Sequence, residues 1–206
     1  MMEPRELNDV ERDALREVAN IGAGHAATAL SQMTDRTIMI NVPEVNVRRV
    51  EEVADLLGPP DTVVAAVLMH VMGDLTGRTA VILPVTAART LCDLLMRRPP
   101  GSTDAFGPME DSSLKETGNI LTSAYLTALS DFMGMMLVPS VPSLVTDYAG
   151  AVLTAAHLNF AREQDIVFCV DTAFRVEGGT EVLNGEFILL PDSASLAAIF
   201  DAIRLA

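Results

Sequence analysis

The sequence predicts an α+β fold in which two helix–three-strand–helix units share one six-stranded antiparallel sheet. Three observations predict it: an internal repeat, a long helical period opening each repeat, and strand runs joined by glycine-rich turns. Displaced by 99 residues, the chain matches itself at Glu17 and Glu116, Asn20 and Asn119, and Ile21 and Ile120. Thr28-Ala29-Leu30-Ser31 then falls on Thr127-Ala128-Leu129-Ser130, and Val42-Pro43 on Val141-Pro142. Further on the displacement grows to 107, where Ile82-Leu83-Pro84 meets Leu189-Leu190-Pro191. The repeats are therefore expected at about 7–96 and 107–206, joined by a linker over 97–106 that contains Pro99-Pro100-Gly101. Two such units joined edge to edge give one domain with pseudo-two-fold symmetry and no free inner sheet edge.

The elements follow in order. Asn8 with Glu11 three residues on is a capping-box signature, and the first helix is expected to run to about Met33. Gly107-Pro108 opens the second helix, with proline at its first position, and that helix is expected to run to about Met133. Strand candidates in the first half are Val42 to Val50, Val63 to Met72 and Arg78 to Leu83. The last two flank Gly73-Asp74-Leu75-Thr76-Gly77, a hairpin turn. The second half offers Val145 to Phe160, Ile166 to Val176 and Glu181 to Leu190, with Gly178-Gly179 in its turn. Short helices over Val85 to Met96 and Ser193 to Leu205 close the halves.

The composition excludes several function classes. The chain has 206 residues with a formal net charge of −14. Nucleic-acid binding needs clustered cations, which this balance argues against. Apolar residues make up 50%, yet no uninterrupted run is long enough to predict a membrane span. The charged Met1 to Asp13 segment does not resemble a signal peptide, so a cytoplasmic location is expected. Cys92 and Cys169 are too few for a disulfide framework and read as buried thiols. His25, His70 and His157 show no metal-ligand spacing. Gly22-Ala23-Gly24 lies inside a helical pattern and does not follow a strand, so it is no phosphate loop.

At about 100° per residue, Asp13, Glu17, Asn20, Gly24 and Ser31 fall on one stripe of the first helix. Leu15, Val18, Gly22, Ala26, Ala29 and Met33 lie opposite. The second helix repeats the arrangement: Ser112, Glu116, Asn119, Ser123 and Ser130 against Leu114, Leu121, Tyr125, Ala128 and Phe132. Most Glu and Asn residues on such a stripe simply face solvent. Asparagine, though, is a mediocre residue inside a helix, and here it stands beside Glu at the same place in both repeats. The small Gly24 and Ser123 would let another protein approach the stripe closely.

These residues carry a resemblance to the CheC, CheX and FliY phosphatases. That family's pattern is Asp or Ser, three residues, Glu, two residues, Asn, twenty-two residues, Pro. Asp13, Glu17, Asn20 and Pro43 have those spacings, and so do Ser112, Glu116, Asn119 and Pro142. One accidental match is roughly a one-in-several-hundred event per chain at ordinary residue frequencies. Two matches in register with an independent repeat are far rarer. The double motif resembles CheC more than CheX, which carries one per chain. FliY normally adds a flagellar-switch domain for which this sequence has no room.

The resemblance implies hydrolysis of the aspartyl phosphate of the response regulator CheY. Asn20 and Asn119 would position the attacking water. Glu17 and Glu116 would pair with the regulator's lysine. Asp13 and Ser112 would support the contact edge, and Pro43 and Pro142 would set the path of the following strand. No cofactor or metal is expected on this chain, with Mg²⁺ on the phosphorylated partner. A double motif in one chain implies a monomer. The resemblance also admits an adaptor that binds and regulates the deamidase CheD, or a structural relative of the flagellar-switch protein FliM, which shares the architecture without the paired motif.

Overall fold

The computed structural model describes residues 8–42, 44–49, 52–53, 58–59, 61–157, 166–176 and 182–205. Helix α1 (Asp9–Thr34) leads to strands β1 (Ile38–Asn41), β2 (Val45–Arg49), β3 (Val63–Gly73) and β4 (Gly77–Pro84), then to helix α2 (Val85–Leu95). Helix α3 (Pro108–Met133) opens the second half. It is followed by β5 (Leu137–Pro139), β6 (Ser143–Tyr148), α4 (Ala149–His157), β7 (Ile166–Val176), β8 (Val182–Pro191) and α5 (Ser193–Leu205).

Among the described residues the sheet is antiparallel and has eight strands, not six, with the main path β1-β7-β8-β4-β3-β5. The two additional strands arise because each edge is broken. β2 also pairs with β7, and β6 also pairs with β3. Asn41 faces Ala173 while Val45 faces Val170, so four steps on the edge span three on β7. Pro139 faces Val71 and Ser143 faces Leu68, which repeats the one-residue slip at the opposite edge. At each slip the edge ladder is interrupted, so the edge consists of two short strands in place of one. Half-buried Pro142 sits in the second break, where its missing N–H costs no ladder bond. Pro43 lies outside the described residues.

The halves do meet edge to edge, through β4 and β8 at the sheet centre. The broken edge strands add a second connection, since those of each half pair with a long strand of the other half. At the centre both strands need glycine. A β-carbon on Gly77 would collide with Leu190 O and Pro191 Cα, and one on Gly185 would collide with the Leu83 side chain and Ile82 O. These two collisions correspond at a displacement of 108, so the structural register of the central strands differs by one residue from the 107 of the Ile-Leu-Pro match.

Two further expectations are corrected. In the run Val145 to Phe160 the described residues form a strand only to Tyr148 and then α4, to His157. Its Ala-Gly-Ala-Val-Leu-Thr-Ala-Ala stretch lacks the β-branched density of a strand and holds strong helix formers. Met33 is exposed rather than packed, and Ala29 is half-buried. The Gly178-Gly179 turn lies outside the described residues.

One sheet face carries α1, α2, α3 and α5 over a core that includes Leu15, Leu30, Leu91, Leu121, Phe168, Phe187 and Ile199. The other face packs Val64, Ala66, Ile82, Cys169 and Ile188 against Val53 and against Ala149, Val152 and Leu153 of α4. Cys92 and Cys169 are both buried and unbridged. Burial, first among the causes, pushes each thiol up to about 12. No helix among the described residues is long and apolar enough to cross a membrane.

Candidate functional site

Both motif helices are fixed at their first turns. Asn8 Oδ1 accepts from Glu11 N at 2.9 Å, and Glu11 Oε2 accepts from Asn8 N at 3.0 Å, a complete capping box. In α3 the cap residue is Gly107, whose N–H donates to Glu110 Oε2 at 2.9 Å, with Pro108 next. Arg98 Nη1 donates to the other carboxylate oxygen, Oε1, at 2.5 Å. The Arg98 hydrogen bond, with those from the cap backbone, holds the Glu110 carboxyl below its ordinary range. Asp93, buried in the last turn of α2, accepts from Ser102 N at 3.0 Å and from Thr103 Oγ1 at 2.6 Å. The expected linker is thereby tied down at both ends.

The helix ends explain the serine of the repeated Thr-Ala-Leu-Ser. Ser31 Oγ donates to Ala27 O and accepts from Ile38 N at 2.8 Å, binding the last turns of α1 to β1. Ser130 Oγ donates to Met135 O on the equivalent stretch after α3. Ser31 and Ser130 are half-buried and structural, so the open stripe is shorter than the helical wheel suggested.

What remains open is the motif. Asp13, Glu17 and Asn20 are exposed on α1; Ser112 and Glu116 are exposed and Asn119 half-buried on α3. Their backs are anchored by Leu15, Val18, Ala19, Leu114, Thr117, Gly118 and Leu121, all buried. Gly118 presses on the sheet so closely that a β-carbon would overlap the Val67 side chain. Among the described residues no partner engages the side chains of Glu17, Asn20, Glu116 or Asn119. Each helix therefore presents a carboxylate and an amide, one turn apart, whose hydrogen-bonding capacity is unspent among the described residues.

The helices α1 and α3 pack against one another, so both pairs belong to one helical layer. A small apolar cavity of about 50 Å³ lies under that layer, lined by Val18, Ala19, Tyr125, Leu129, Phe168 and Phe187 among others. An open groove begins beside the second stripe, lined by Phe106, Gly107, Pro108, Asp111, Ser112 and Lys115. Among the described residues no three His, Cys, Asp or Glu side chains are grouped to hold a metal ion.

Sequence reading missed one feature of the stripes. Val10 and Met109, at equivalent positions in the first turns, are 72% and 65% exposed, and Ile21 beside Asn20 is 45% exposed. The 99-residue displacement already pairs Val10 with Met109 and could have revealed this.

Fold and stripe together define a class: a doubled α+β unit that displays an acid–amide pair on each of two packed helices. The solved structure of Thermotoga maritima FliY has this fold, with a TM-score of 0.78 at 21% identity, covering 97% of this chain and 98% of that one. The FliM middle domain from H. pylori shares it at a TM-score of 0.64 and 14% identity, covering 95% and 99%. The CheC-like family model matches twice, at residues 10–47 and 109–146, so each match contains one motif copy. Over 199 residues the chain is 34% identical to the CheY-P phosphatase CheC of Bacillus subtilis, covering 96% of this chain and 95% of that protein. The chain belongs to the CheC-like family.

Proposed function

We propose that this protein is a phosphatase that hydrolyses the aspartyl phosphate of the response regulator CheY, using one site on α1 and one on α3. The observation that carries this reading is the pair of Glu–Asn stripes in register, exposed except for half-buried Asn119, whose side chains have no partner among the described residues. The Bacillus relative named as a CheY-P phosphatase supports the substrate.

An acyl phosphate is already a reactive mixed anhydride, so the catalyst's main task is geometry. Asn20 or Asn119 accepts a hydrogen bond from a water through its side-chain carbonyl and holds that water in line with phosphorus. The water oxygen bonds to phosphorus as the bond from phosphorus to the aspartyl oxygen breaks. Inorganic phosphate and a free carboxylate result, and the water's protons pass to phosphate and solvent. Glu17 or Glu116, one turn away, pairs with a lysine of the regulator and sets the docking angle. Asp13 and Ser112 support the edge of the contact. Mg²⁺ belongs to the phosphorylated partner in this scheme, and one chain suffices because it carries both sites.

The experiment is the decay of phosphorylated CheY in Mg²⁺ with and without the protein. Accelerated decay that Asn20→Ala and Asn119→Ala together abolish supports the reading. Unchanged decay with a verified cognate regulator overturns it.

A further inference from the structure

We propose that Val10 and Met109 are docking knobs: each seats in an apolar socket on the phosphorylated receiver, next to the cation that pairs with Glu17 or Glu116. The inference rests on the phosphatase reading and adds to it the apolar half of the recognition surface.

Large apolar side chains standing alone on a surface need no explanation. These two are not isolated. On a wheel of about 100° per residue, Val10 lies about 20° from Glu17, and Ile21 about 40° from it. The apolar residues therefore flank the catalytic stripe directly. The second helix repeats the placement of the knob, with Met109 two turns before Glu116, whereas Ile120, the counterpart of Ile21, is half-buried against the core. Core packing cannot be the reason for Val10 and Met109, since they are 72% and 65% exposed. Helix stability does not ask for Val10 either, because a β-branched residue is a modest helix former.

The occupant follows from continuity and charge. A partner that touches Glu17 and extends two turns, about 10.5 Å, along the same face also covers Val10, since i and i+7 positions lie on one line of the helix. Asp9, Asp13 and Glu17 make the surroundings of Val10 acidic, so the matching surface is an apolar socket with a basic rim. Such a surface suits a receiver that offers its own lysine. The knob contributes binding energy without touching phosphorus, so its loss acts on KM and leaves kcat alone.

The test isolates each site. In an Asn119→Ala background only α1 works, and Val10→Ser is expected to raise KM for the phosphorylated regulator about tenfold with kcat unchanged. Val10→Ile restores the original KM. In an Asn20→Ala background Met109→Ser does the same for α3, Met109→Leu restores it, and Val10→Ser has no effect. An unmoved KM overturns the docking surface, and so does a KM change that appears equally in both backgrounds. A change in sedimentation that accounts for the kinetics would assign the knobs to a second copy of this chain and also overturn it. Failure of the unsubstituted protein to accelerate decay overturns the phosphatase reading itself, and the docking surface with it.

Discussion

Gly22 of α1 lies directly against Tyr125 of α3: a β-carbon at Gly22 would stand 2.6 Å from the ring Cδ1 and 2.9 Å from the Tyr125 Cα. The ring is held in turn by Phe187, with centroids 4.6 Å apart, and by a 3.3 Å hydrogen bond between its hydroxyl and that of Thr172. Gly22 is thus the point at which the two motif helices touch without a side chain between them. It is the reason both stripes can share one layer.

Gly22→Ala is expected to destabilise the protein by about 1–3 kcal/mol, because backbone as well as ring must move to admit a methyl group. Gly24 has nothing within 4 Å of a β-carbon, so Gly24→Ala is expected to stabilise by up to about 1 kcal/mol through helix propensity. Urea unfolding of the two variants checks the opposite signs. The two glycines of Gly22-Ala23-Gly24 thus differ: one is required by packing within the chain and the other has no such contact.

The carboxylates of the stripes are expected to govern docking. Glu17→Ala with Glu116→Ala should raise KM for phosphorylated regulator by about tenfold, equivalent to roughly 1.4 kcal/mol, and weaken its salt dependence. Steady-state kinetics at two ionic strengths measure both.

The cap of α1 offers a stability prediction independent of function. Asn8→Ala removes the acceptor for Glu11 N and should cost about 0.5–2 kcal/mol. Thermal unfolding reads this as a lower Tm with no change in the fold's circular dichroism.

Stability should also depend on pH through the sheet's second face. Asp171 and Glu186 are cross-strand partners on β7 and β8. Burial, and then the Asp171 carboxylate, pushes Glu186 up to about 8. The folded state therefore keeps a proton that the unfolded chain releases near pH 4.5. Stability should fall as pH rises from that value and level off above about pH 8. Glu186→Gln removes this loss, so it should stabilise the protein at pH 7 by on the order of 2 kcal/mol. Near pH 4.5 it should change little. Denaturant titrations at both pH values measure the difference.

Much of this organisation was legible because its signals are local. The capping box at Asn8 and Glu11, the Pro108 helix start and the Gly73–Gly77 hairpin are short-range chemistry, and each stands where the spacing placed it. The motif stripes were legible because a helix converts spacing into a face. What escaped was non-local. The pairing of β1 with β7 and of β5 with β3 leaves no mark on three or four residues beside a proline. The apolar run after Val145 fits a strand or a buried helix equally by periodicity, and its alanines decided the outcome. Ser31 looked like a stripe residue because a wheel knows nothing of the strand that folds back onto the helix end.

The central claim is that two water-positioning amides serve one substrate. Its most direct test is the single-turnover decay of phosphorylated CheY in Mg²⁺ with the unsubstituted protein, Asn20→Ala, Asn119→Ala and the double variant. Partial loss in each single variant and a fall of about 100-fold in the double variant are the predicted result. Full acceleration by a folded double variant would contradict it and place the chemistry elsewhere on the protein.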